Sequence, residues 1–79
     1  MKTYNNPYTR KIFEIINPLI GDLMAAGVLK TQAKKLGIDE ESLTPRQIPE
    51  LAERIKLGLV LFLGSDMASR VSKKISEIH

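Results

Sequence analysis

Apolar residues recur at steps of three and four over most of this chain, and glycine or proline interrupts them at a few places. The first stripe is Ile12, Ile16, Leu19, Leu23 and Gly27, broadened by Phe13, Ile20, Met24 and Val28. That is the period of a helix with one buried face. Pro18 falls inside it, where proline removes a backbone hydrogen bond and crowds the carbonyl four residues back. Asn17-Pro18 also suits a helix start, with Asn as cap and Pro in the first position. The stripe keeps its phase across Pro18. The expectation is therefore one long kinked helix over about 8–36, or two nearly continuous ones, with Gly37 as the stop.

A connector, "IDEESLTPRQIPE" at 38–50, separates this stripe from a second. Thr44-Pro45-Arg46-Gln47 fits a capping box, with Thr as cap, Pro first and Gln third. Pro49 follows closely, so a short turn at 45–48 should lead into a proper helix. Ile48, Leu51, Ala52, Ile55, Leu59, Phe62 and Leu63 form the second stripe. Leu57, Val60 and Leu61 fill its other faces. A helix apolar all round is usually buried, so 49–63 reads as a buried central helix; a buried strand at 59–63 is the alternative. Gly64 ends the element, Ser65 is a candidate cap, and Ala68, Val71, Ile75 and Ile78 mark a last helix over 65–78.

With 79 residues, the chain suits one domain, residues 1–79, in which 1–7 ("MKTYNNP") form an irregular arm. The absence of cysteine excludes disulfides and thiolate metal sites and fits a reducing compartment. The longest apolar run, "LGLVLFLG" at 57–64, is far short of the about 20 residues that span a bilayer. The first residues lack the apolar core of a signal peptide. These features point to a cytoplasmic protein. Net charge is +3, unevenly spread: residues 1–38 carry +4, 39–53 carry −4 and 54–79 carry +3. An acidic middle between basic flanks suggests internal complementarity more than a polyanion-binding surface.

The chain also echoes itself. A shift of 43 residues lays "GDLMAAGVLK" (21–30) over "GSDMASRVSK" (64–73), and Gly, Met, Ala, Val and Lys coincide. The same shift carries Ile12 onto Ile55. The likeness reflects either an internal duplication, giving two helix–helix units about a pseudo-twofold, or two amphipathic helices of similar period.

Chemistry is thinly represented. The one histidine is His79, at a terminus, a poor place for a general base. No phosphate-loop, dinucleotide or nucleophile-elbow motif occurs. Asp39, Glu40 and Glu41 lack the spacing of a calcium loop and read as a solvated acidic turn. Catalytic, metal and cofactor residues are thus assigned to none. Two basic sets remain, Lys30, Lys34 and Lys35, and then Arg70, Lys73 and Lys74. They offer a surface for nucleic acid or an acidic partner, or serve as cations placed near helix C-termini. Gly21, Gly27, Gly58 and Gly64 lie in or beside apolar segments. Each costs about 1 kcal/mol in a helix interior against Ala, which close helix approach, within a chain or between two, would offset.

The stretch "KKLGIDEESLTPRQIPELAERI", residues 34–55, resembles the uncharacterised small all-helical modules of prokaryotes that are attached to or encoded beside signalling proteins. The likeness rests on LGI, an acidic loop and LTPxxIPxLAxxI, about a quarter of the chain. It implies a helical module and carries over no catalytic residue.

The reading is an all-α domain, a bundle of three to four helices. It serves as a non-catalytic protein-interaction or regulatory module able to self-associate, with nucleic-acid binding through the basic helix ends as the alternative. Self-association requires an exposed apolar patch of more than a few hundred Å².

Overall fold

The structure is a computed structural model that describes residues 3–78. It is all-α: among the described residues there is no strand. Helix α1 runs Pro7–Ile20, α2 runs Asp22–Lys35, two 3-10 turns cover Glu40–Ser42 and Pro45–Gln47, and α3 runs Ile48–Ser76. None of these helices is long and apolar enough to cross a membrane.

The first break comes at Gly21, not at Pro18. Pro18 is accommodated inside α1, on the solvent side and within the last turn. Gly21 instead takes φ 88°, ψ 160°, a region open essentially to glycine alone. The long kinked helix expected over 8–36 is therefore two helices meeting at a one-residue corner. Gly64 repeats the device inside α3, with φ 80°, ψ 165°. It divides α3 into a first limb, 48–63, and a second limb, 65–76. Ser65 has helical geometry, so Gly64, not Ser65, holds the capping position. At Gly37 (φ 77°) α2 ends as expected: Ile38 N donates to Ala33 O at 3.1 Å and Gly37 N to Lys34 O at 2.9 Å, the paired bonds of a Schellman stop.

The 43-residue shift holds for burial as well as for the corners. Thr9 and Ala52, Ile12 and Ile55, Ile16 and Leu59, and Ala25 and Ala68 are all buried. The molecule consists of two helix–glycine–helix units, α1–α2 and the two limbs of α3, that share these buried positions and a glycine corner while Phe13, Leu29 and Ala33 are buried and their counterparts Lys56, Ser72 and Ser76 are not. The core lies between them and takes its large side chains from Ile12, Ile16, Leu29, Leu51, Ile55, Leu59 and Ile75.

The connector fastens the N-terminal segment. Asn6 caps α1, accepting from Tyr8 N at 2.9 Å and Thr9 N at 3.1 Å, while its amide donates to Leu43 O at 2.8 Å and Glu41 O at 3.1 Å. The Glu41 carboxylate accepts from Asn6 N at 2.9 Å and Asn5 N at 3.1 Å. The Thr9 hydroxyl donates to Glu40 O. This holds Tyr4 in the core, edge-on to Phe13 with centroids 5.4 Å apart. The expected irregular arm is thus pinned over residues 4–6, and Pro7 already belongs to α1; Met1 and Lys2 of that arm lie outside the described residues. The acidic turn is a clasp, with Asp39 accepting from Glu41 N at 3.1 Å. Gln47 Oε1 accepts from Thr44 N at 3.1 Å, and the Thr44 side chain faces the Gln47 backbone N–H in return, the capping box read from the sequence.

Candidate interaction surface

Two grooves run beside the two corners. The larger, about 790 Å³, lies between α1 and the second limb of α3; Ile15, Leu19, Met67, Arg70, Val71 and Lys74 are among its lining. The smaller, about 340 Å³, lies between α2 and the first limb of α3 and is lined by Gly58, Phe62, Met24, Gly27, Val28 and Thr31 with Leu23 and Gln32. The first six of these are the 43-residue equivalents of the six named for the larger groove. The grooves thus share part of their lining under the shift. Leu19 shares a groove with Met67, and Met24 with Phe62. Gly21 and Gly64 lie between those residues in sequence, so both corners sit at the same end of the bundle.

The two faces share Leu19 and Met67 on one side with Phe62 and Met24 on the other, all exposed, and differ in chemistry at four further positions. Glu14, Asp66, Arg70 and Lys74 on one side correspond to Leu57, Leu23, Gly27 and Thr31 on the other. Leu23 is 88% exposed and Leu57 63%, joined by Leu61 at 90% and Phe62 at 56%. Leu57 and Leu61 are one turn apart, on the side of α3 away from the core residues Ile55 and Leu59. The first limb is therefore not the buried central helix that its composition suggests. Leu57, Leu61 and Phe62 face outward, while Ile48, Leu51, Ala52, Ile55 and Leu59 are buried. The charged equivalents of Leu57 and Leu23, Glu14 and Asp66, are exposed as well, so none of these four positions belongs to the core.

Gly58 serves the interior of the same groove. A Cβ on it would stand 3.1 Å from Nε2 of Gln32, a buried side chain on α2. Gly27 differs: a Cβ there would meet nothing within 4 Å. It occupies an exposed helical position without serving any contact inside the chain.

All six cations singled out in the sequence are exposed. Lys30, Lys34 and Lys35 line a shallow groove on α2 with Thr31. Arg70, Lys73 and Lys74 line the larger groove, together with Lys11 and the acids Glu14 and Glu77. The structure thus gathers each set within itself but gives the two sets separate grooves. Among the described residues no three His, Cys, Asp or Glu side chains are placed to hold a metal ion; His79 lies outside them. Burial raises the Tyr4 hydroxyl above its ordinary value of 10.0, assisted by the nearby charges of Glu40 and Glu41. Tyr4 is thereby kept neutral in the core.

The exposed face was not legible in the sequence as a site, because apolar residues at helical spacing read as core. The signal that would have found it is the repeat comparison: an apolar residue whose equivalent is charged. No family model, curated protein or solved structure matches this chain.

Proposed function

We propose that this protein is a non-catalytic interaction or regulatory module that engages another protein surface, including its own, through α2 and the first limb of α3. One observation carries the reading: leucines at 23 and 57 stand exposed where the equivalent positions of the same fold hold Asp66 and Glu14. Each exposed leucine forgoes about 1.5–3 kcal/mol of transfer free energy that full burial would supply. A role beside signalling proteins, suggested by the resemblance of residues 34–55, suits a module of this kind. The nucleic-acid reading is less well supported, because the six cations are divided between two grooves.

Site-specific photo-crosslinking tests the proposal. A photoreactive residue at position 57 should yield protein adducts in extracts of the native host, and one at the equivalent position 14 should not. Equal labelling from both positions, or none from either, would overturn it.

A further inference from the structure

We infer that the groove between α2 and the first limb of α3 takes a short extended segment of a partner protein, in which alternate apolar residues are followed by an acidic one. This rests on the interaction reading above and names the chemistry of the partner. The first observation is Gln32. Its side chain is 8% exposed and lines the groove. Gly58 leaves room for it, since a Cβ there would stand 3.1 Å from Gln32 Nε2. The carboxamide makes no hydrogen bond among the described residues, and its polar atoms still reach the groove. Two N–H donors and a carbonyl acceptor are thus set in an apolar floor and left to a ligand. An extended segment offers such an amide a free backbone N–H and C=O, whereas a helical segment has already paired its own.

The second observation is the charge beside Gln32. Thr31 belongs both to this groove and to the shallow one of Lys30, Lys34 and Lys35, so the apolar floor runs into a basic one. These lysines make no ion pair among the described residues. The acids that follow α2 are engaged elsewhere: Asp39 accepts from Glu41 N, and Glu41 from Asn5 N and Asn6 N. Three cations also exceed the about half a charge that a helix C-terminus presents. The complementary group at this end is a carboxylate.

Spacing along α2 sets the order of the segment. Met24, Val28 and Gln32 follow at four-residue steps, and Lys35 lies three further on. At about 1.5 Å rise per residue a four-residue step is about 6 Å. That is the length of about two residues of extended chain at about 3.3 Å each. Alternate apolar side chains therefore lie over Met24 and Val28, the next peptide group faces Gln32, and the acidic side chain reaches Lys34 and Lys35.

Panning the immobilised full chain against a random peptide library tests the assignment. The selected sequences should share two apolar residues at alternate positions with an acidic residue shortly beyond them. Fluorescence anisotropy with the selected labelled peptide then compares the wild type with Gln32→Met and with Lys34→Glu/Lys35→Glu. Each variant should bind about tenfold more weakly, and circular dichroism checks that both remain helical. Methylating the one peptide nitrogen that faces Gln32 should weaken binding to the wild type by about tenfold and leave binding to Gln32→Met unchanged, as coupled groups require. The absence of any selected peptide overturns the assignment, as does a consensus without an acidic residue or a peptide indifferent to methylation at every nitrogen. Adducts from position 57 without a selected peptide would overturn the extended acidic segment alone; the absence of adducts from position 57 counts against the interaction reading itself.

Discussion

Gly21 and Gly64 bend their helices with the same backbone conformation, φ 88°, ψ 160° and φ 80°, ψ 165°. Both corners lie at one end of the bundle, and the exposed leucines gather beside them. The glycines are needed for their torsion angles, since a Cβ at either would meet nothing within 4 Å. Gly21→Ala and Gly64→Ala should each cost about 1–3 kcal/mol. Urea denaturation measures this, and the two losses should be of similar size because the conformations are.

Gly27 should behave in the opposite way. It has ordinary helical geometry and open space around it. Gly27→Ala should stabilise the isolated chain by about 0.5–1 kcal/mol through helix propensity. Thermal unfolding measures the gain.

Asn6 joins the N-cap of α1 to the connector. Asn6→Ala removes the acceptor for Tyr8 N and Thr9 N and the donor to Leu43 O. The expected loss is about 1–2 kcal/mol, measured by denaturant unfolding. Proteolytic susceptibility of residues 3–6 should rise with it.

Tyr4 sets a pH dependence at the alkaline end. Its folded value lies above 10.0 because burial, then Glu40 and Glu41, disfavour the phenolate. Below the unfolded value the hydroxyl is neutral in both states and its contribution is intact. As pH rises past 10.0 the unfolded chain ionises first, binds fewer protons than the native state, and stability falls. Unfolding free energies at pH 9 and pH 11 should differ less in Tyr4→Phe than in the wild type (pH values chosen to bracket about 10).

The sequence made the helices legible wherever the determinants lie within a turn or two. The periodic stripes, the Gly37 stop and the Thr44–Gln47 cap depend only on near neighbours. The break near Pro18 was misplaced because proline's cost is modest on the exposed side of a last turn, whereas the corner needs the torsion that Gly21 alone supplies. Tyr4 and the Glu41 clasp were not legible, since the contacts join residues 35 and 36 positions apart with no periodic signature. Leu57 and Leu61 look like core in composition. Only their place opposite Ile55 and Leu59, and the charge at Glu14, shows that the fold does not bury them.

The most direct test copies the charged face onto the apolar one, as Leu23→Asp with Leu57→Glu, residues that positions 66 and 14 already carry. Unfolding free energy and sedimentation are measured on the same preparations. Stability should stay within about 0.5 kcal/mol of the wild type, and association should be lost. Unchanged association, or a large loss of stability, would contradict the claim that these leucines serve a partner surface and not the fold.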